Sequence, residues 1–242
     1  MVACRWPRRR RTLLAACCQF TPLLRRSVLV MTKYVLPDLT YDYGALEPHI
    51  SGKIMQLHHD KHHKGYVDGA NAAVEALEEA RQKNDFSRIA AIEEALAFNL
   101  SGHVLHSLFW KNLAPNAGGQ PTGKLASQID KDFGGFNAFK AQLTKAAATC
   151  MGSGWGALMW DPLSSRLLTV QIHDHQSHTV QGAVPLLVID AWEHAWYLQY
   201  LNEKVKFFDA IWNVLNWKDV AQRFEHAHSS NLVLEQVAER AA

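Results

Sequence analysis

A run of chain-breaking residues near the middle of the sequence constrains the fold more than any other feature. Residues 114–123 read Ala-Pro-Asn-Ala-Gly-Gly-Gln-Pro-Thr-Gly, and such a density of proline, glycine and asparagine does not continue a helix or a strand. Helical periodicity precedes this run, whereas β-like runs follow it. We therefore predict a linker between two lobes of different construction.

The residues before the linker favour a helical hairpin. Ser51 is a candidate N-cap for a helix that runs to about Lys83, and Asn84 and Asp85 end it. A second helix is predicted over residues 87–110, because its apolar side chains recur every three or four positions. Residues 31–113 are accordingly predicted to form an N-terminal helical-hairpin domain.

The residues after the linker combine helices with short strands. Helical periodicity covers residues 124–149, with an interruption at Gly134 and Gly135. Three β-like runs follow, at residues 155–160, 167–172 and 186–189, and the chain then returns to helical periodicity. We predict a C-terminal α/β domain over residues 121–228 and a tail over 229–242. The fold class is α+β, with a small three-stranded antiparallel sheet flanked by helices.

The first 30 residues differ from the rest in charge. They carry seven arginines and no acidic residue, so the net charge of +2 for all 242 residues leaves −5 for the remainder. A basic, acid-free segment is typical of a transit peptide, and the alternative is that translation starts at Met31. We expect a cytoplasmic protein, or a mitochondrial matrix protein if the leader is a genuine transit peptide.

Charge, cysteine content and hydropathy exclude several classes of function. The mildly acidic body does not favour nucleic-acid binding, and no apolar run is long enough to span a bilayer. After the leader only Cys150 remains. A single cysteine provides neither a disulfide framework nor a cysteine metal site, which fits a reducing compartment.

Four side chains distributed over both predicted lobes form a candidate metal site. Asp190 and His194 lie four residues apart in an aromatic segment, and His58 and His106 lie far upstream. Three imidazole nitrogens and one carboxylate suit iron or manganese and leave a position open for a small molecule. Each residue alone is more often part of a salt bridge or a hydrogen-bonded core histidine. Together they favour a metal site, because several unpaired polar rings among aromatic neighbours would be costly.

The histidine-rich segment around His58 contains further candidates. His58, His62 and Tyr66 are spaced four residues apart, so a helix would place them on one face, as expected for a channel that leads to a metal. His59 and His63 point elsewhere on such a helix. We interpret these two histidines as part of a solvated helix face.

Several motifs between Lys33 and Phe224 together resemble the iron/manganese superoxide dismutase family. They lie at residues 36–48, 58–66, 98–110, 152–155, 190–197 and 211–217. The resemblance implies disproportionation of superoxide to dioxygen and hydrogen peroxide at one manganese or iron ion per subunit. It implies four metal ligands, namely His58, His106, Asp190 and His194. It also implies a surrounding shell that contains His62, Tyr66, Trp110, Trp155 and Trp192.

The same resemblance extends to assembly and to one variable position. Family members are homodimers or homotetramers, in which residues matching Glu193 and Tyr197 reach across the interface. Many members place a glutamine near the metal-bound solvent, whereas the corresponding position here is His175, with Asp174 and Gln176 as the alternatives. A histidine there resembles actinobacterial and archaeal members that use iron, manganese or either, so the choice of metal stays open.

Two other classes of function compete with this interpretation. A non-haem iron oxygenase or a zinc hydrolase would leave one of the three histidines unused, since a facial triad takes only two histidines and a carboxylate. A non-enzymatic metal-binding or storage protein would hold a metal that does not react with superoxide. Neither alternative accounts for the ordered set of motifs.

Overall fold

The computed structural model describes residues 32–229 and Leu232, and its first half is a helical hairpin. The predicted leader, and the predicted tail apart from Ser229 and Leu232, lie outside these residues. Helix α1 (Gly52–Leu57) continues through a π-helical segment (His58–His63) into α2 (Lys64–Lys83). Helix α3 (Ile89–Asn112) returns antiparallel to α2. The predicted hairpin is confirmed, whereas the π-helical segment was not predicted.

Local chemistry explains where the first arm of the hairpin begins and ends. The hydroxyl of Ser51 accepts a hydrogen bond from the backbone N–H of Ile54 at 3.3 Å, which satisfies one donor at the helix start. Asn84 adopts the left-handed conformation, with φ of 50°, and its N–H bonds to carbonyls of the last turn of α2. Asparagine tolerates this conformation better than most residues, so it can end the helix.

Helices and a small sheet make up the second half. Helices α4 (Gly123–Phe133) and α5 (Phe136–Ala148) precede strands β1 (Gly154–Asp161), β2 (Arg166–His173) and β3 (Val184–Asp190). Short helices α6 (Tyr197–Tyr200) and α7 (Lys204–Ala210) lead to α8 (Trp217–His228). The three strands form an antiparallel sheet, as predicted, and their order is β2-β1-β3.

The sheet places one end of β3 next to α3. Strand β1 is central and almost entirely buried. Its residue Trp155 pairs with Asp190 of β3. The pairing shifts by one residue where Leu158 faces Leu187 but Met159 faces Pro185, so Leu186 is an extra residue in β3. Helix α3 packs on β3, which brings the two halves together. Among the described residues, no helix combines the length and the apolar character needed to cross a membrane.

Candidate metal centre

The fold brings the four predicted donors to one point. His58 opens the π-helical segment, His106 lies in α3, Asp190 ends β3, and His194 lies in the 3-10 turn Glu193–Ala195. Their ligand atoms all lie within 4.8 Å of one another. Asp190 Oδ2 lies 3.1 Å from His58 Nε2, 3.2 Å from His194 Nε2 and 3.7 Å from His106 Nε2. Such convergence is what a mononuclear metal site requires.

Two of these side chains have a buried ring nitrogen that could bind a cation. The buried Nε2 atoms of His58 and His106 form no hydrogen bond of acceptable geometry among the described residues, although Asp190 Oδ2 lies within 3.7 Å of both. His106 Nδ1 lies 2.7 Å from the carbonyl oxygen of Gly102, so Nδ1 donates its proton there and Nε2 presents a lone pair. Buried nitrogens without a partner are costly unless a metal ion accepts their lone pairs. Imidazole and carboxylate donors in this ratio suit iron or manganese.

Protonation states inside the cluster also suit metal binding. Burial, with a contribution from His194, lowers the pKa of His58 to about 4, and burial lowers the pKa of His106 well below its ordinary value. Burial alone would raise the pKa of Asp190, but His194 and His58 outweigh it and hold that pKa below its usual range. Two neutral nitrogens therefore face an ionised carboxylate at neutral pH, as metal ligands must.

His175 is buried beside this cluster with a defined tautomer. Its ring stacks on Trp192 with centroids 4.5 Å apart, and Trp155 Nε1 donates a hydrogen bond to its Nδ1 at 3.0 Å. Burial lowers the pKa of His175 to about 4, so the ring is neutral and carries its proton on Nε2. That Nε2–H has no partner among the described residues. It remains available as a hydrogen-bond donor.

The two alternatives to His175 have other contacts. The backbone carbonyl of Asp174 accepts a hydrogen bond from Trp192 Nε1 at 3.1 Å. Gln176 Oε1 accepts one from the backbone N–H of His175 at 3.2 Å. Of the three, only the ring of His175 is fully enclosed next to the donors, with its centroid 5.7 Å from that of His106.

Gly102 makes room for the rings around the cluster. A Cβ atom at this position would lie 2.8 Å from Tyr66 Cγ and 3.2 Å from His175 Cδ2. Real Cβ atoms essentially never approach other heavy atoms as closely as the first of these distances. The absence of a side chain in α3 thus allows Tyr66 and His175 to meet, with ring centroids 4.5 Å apart.

His62 and Tyr66 lie on the outer side of the donors. The ring of His62 stacks on that of His194 with centroids 4.1 Å apart, and Tyr66 lies 5.0 Å from His106 by the same measure. Both side chains are partly exposed. Burial raises the pKa of Tyr66 above its ordinary value, so the phenol stays protonated. The two residues can line an approach to the cluster.

The interpretation of His59 and His63 as solvated was wrong. His63 is fully buried and His59 is only 6% exposed. Trp110 Nε1 donates to His63 Nδ1 at 2.9 Å, so His63 donates from Nε2 to His103 Nδ1 at 2.8 Å. The ring of His63 stacks on that of His106, with centroids 5.4 Å apart. His103 and Trp110 follow His63 by 40 residues or more, a distance at which helix periodicity carries no information.

A partly open groove runs along the surface next to His194. Glu193, Tyr197, Leu198 and His62 line it. Tyr197 is 49% exposed and Leu198 is 58% exposed. Exposed apolar side chains of this kind beside a site form a candidate contact surface for another subunit.

Two family models match adjacent parts of the chain. Residues 33–114 match the alpha-hairpin domain of iron/manganese superoxide dismutases, and residues 121–223 match the C-terminal domain of the same family. The boundary between the two matches coincides with the proline- and glycine-rich linker.

Curated relatives match the same part of the chain. An iron superoxide dismutase of Mycobacterium tuberculosis is 58% identical over 199 residues, which cover 82% of this chain and 96% of that protein. A manganese/iron superoxide dismutase of Propionibacterium freudenreichii is 57% identical over 196 residues, or 80% of this chain and 98% of that protein. A manganese superoxide dismutase of Mycolicibacterium smegmatis is 55% identical over 199 residues, with coverage of 82% and 96%.

Proposed function

Because this chain belongs to the iron/manganese superoxide dismutase family and is a metal-dependent oxidoreductase of that family, we propose which of its residues carry out the disproportionation of superoxide. One iron or manganese ion per subunit is held by His58, His106, Asp190 and His194. The observation that carries this assignment is the pair of buried, unpartnered Nε2 atoms that face one ionised carboxylate.

A bound iron or manganese supplies one-electron oxidation and reduction, through which two superoxide ions become dioxygen and hydrogen peroxide. The residues around the donors control protons and access. Formation of hydrogen peroxide consumes two protons, and the neutral ring of His175 offers a hydrogen-bond donor at Nε2. The phenol of Tyr66 offers a second donor next to it. We assign both residues to the site, together with His62.

The surrounding rings restrict what can reach the donors. Trp110 packs edge-on against His58 with centroids 4.8 Å apart, Trp155 against His106 at 5.0 Å, and Trp192 stacks near His194 at 5.4 Å. These indoles crowd the donors, which favours access by small molecules over larger ones. One carboxylate does not neutralise a divalent or trivalent cation, so the loaded site attracts a small anion such as superoxide.

The proposal extends to assembly, domain limits and location. We propose a homodimer or homotetramer that uses Glu193 and Tyr197, which the exposed groove beside His194 supports. The proposed domains are residues 31–113 and 121–228, with a leader before them and a tail after them. The relatives described above are bacterial proteins, which supports a cytoplasmic location over the mitochondrial matrix.

Metal analysis combined with a superoxide assay tests the proposed ligands. The protein is reconstituted separately with iron and with manganese, and His194→Gln is compared with His228→Gln on the exposed end of α8. His194→Gln should lose both metal and dismutase activity, because one of four donors is removed, while His228→Gln should keep both. Full metal content and activity in His194→Gln would refute the ligand assignment. Bound metal without any reaction with superoxide would favour a storage protein.

A further inference from the structure

A buried amide joins the helix that carries His106 to the strand that carries Asp190. Asn112 is the last residue of α3 and is fully buried. Its Nδ2 donates to the carbonyl oxygen of Leu186 at 3.1 Å, and its Oδ1 accepts from the N–H of Val188 at 3.0 Å. Nδ2 also donates to Asp219 Oδ2 at 2.9 Å. Both donor hydrogens and one acceptor position of the amide are therefore in use.

The two contacts to β3 lie at the irregular segment of that edge strand. In the order β2-β1-β3, strand β3 is at the edge, so its outer backbone groups have no neighbouring strand among the described residues. Leu186 is also the extra residue relative to β1. Asn112 bonds to this residue and to Val188, the second residue after it, as a neighbouring strand would. The amide thus supports the edge at the irregularity itself.

The register of β3 at this point decides where Asp190 lies. Asp190 follows Val188 by two residues, and successive side chains of a strand point to opposite faces. A slip of one residue would move the carboxylate by about 3.3 Å and turn it to the other face of the sheet. Asp190 Oδ2 would then no longer lie opposite the imidazole nitrogens.

We propose that Asn112 is a positioning residue for the metal centre, which holds the irregular part of β3 against α3 so that Asp190 stays within reach of His106. This inference rests on the proposed ligand set. Asn112 itself touches none of the donors and acts through the backbone of β3. A leucine of similar size would fill the space but would leave the N–H of Val188 and the carbonyl of Leu186 unpaired.

Metal release distinguishes positioning from general stability. Manganese-loaded Asn112→Leu is compared with the wild type and with Leu143→Ala, which removes a fully buried side chain of α5. Both substitutions should lower the melting temperature. Transfer of manganese to a chelator at neutral pH should be faster by about tenfold or more in Asn112→Leu alone, as for other losses of residues that orient ligands. The electron paramagnetic resonance spectrum of bound manganese(II) should change in Asn112→Leu and stay unchanged in Leu143→Ala.

A second variant covers the case in which Asn112→Leu does not fold. Asn112→Asp keeps an acceptor for the N–H of Val188 but cannot donate to Leu186, and it is measured in the same way with the same expected outcome. The proposal would be overturned if the rate of manganese release depended on melting temperature in the same way in all variants and if their manganese(II) spectra matched that of the wild type. A wild-type protein that binds neither iron nor manganese would instead refute the ligand set.

Discussion

Replacement of Gly102 by alanine should lower the free energy of unfolding and the activity of the protein, although alanine is the better helix former. Alanine in place of glycine inside a helix gains about 1 kcal/mol. At position 102 the added methyl group would lie 2.8 Å from Tyr66 Cγ and 3.0 Å from Tyr66 Cδ1, so the tyrosine ring or the helix must move. Overpacking of this kind costs about 1–3 kcal/mol. The net change for Gly102→Ala is therefore between about zero and a loss of about 2 kcal/mol.

Gly65 provides a matched control in the other arm of the hairpin. It is also helical but exposed, and a Cβ atom there would meet nothing within 4 Å. Gly65→Ala should gain about 1 kcal/mol, so the two variants should differ by about 1–3 kcal/mol. For a protein of this size the difference corresponds to about 2–12 °C in melting temperature.

Thermal unfolding and activity per bound metal should be measured on both variants. Gly102→Ala should keep its metal, since no ligand is removed, but should lose activity because Tyr66 and His175 are displaced. Gly65→Ala should retain wild-type activity. An equal rise in melting temperature for both variants, with full activity in each, would refute the packing argument around Gly102.

Three further predictions follow from the site. His175→Gln should alter the ratio of iron-supported to manganese-supported activity with full metal content, because the donor at Nε2 is replaced; an unchanged ratio would count against a role for His175 in the site. Glu193→Ala should weaken subunit association and lower metal affinity by about 10–100-fold, and unchanged sedimentation with full metal occupancy would contradict it. His58 and His106 should add little pH dependence to manganese uptake by the metal-free protein between pH 7.5 and pH 5.5, because burial lowers the pKa of His58 to about 4 and that of His106 well below its ordinary value. An ordinary histidine would be about 90% protonated at pH 5.5, so a fall in affinity of about tenfold for each of these two histidines would show that burial does not protect them.

Sequence periodicity predicted the helical hairpin and the three strands because each is a local pattern. The convergence of the four candidate ligands was also predictable, since Asp190 and His194 stand in one short segment and the motifs around His58 and His106 are specific. The environment of His63 was not predictable. Its partners Trp110 and His103 lie on another helix, and only tertiary packing reveals that a ring in a histidine-rich segment is buried.

The π-helical segment escaped prediction for a related reason. Residues 51–83 were predicted as one regular helix, and the change of hydrogen-bond pattern over His58–His63 is not visible in helix periodicity. π-Helical turns occur frequently at functional sites. Here the segment begins at the first candidate ligand and ends at the histidine that stacks on His106, so the irregularity lies directly beside the candidate site.

The spread of the four donors along the chain has a consequence for the order of events during biosynthesis. When the hairpin leaves the ribosome it carries His58 and His106, but the carboxylate and the third imidazole are added more than 80 residues later. No nascent fragment can therefore select a metal with the complete donor set. Once β3 has joined the hairpin, His58 and His106 are buried, so exchange of the ion requires local opening around the donors. The ion that is abundant in the compartment while the chain folds therefore has the advantage in occupying the site.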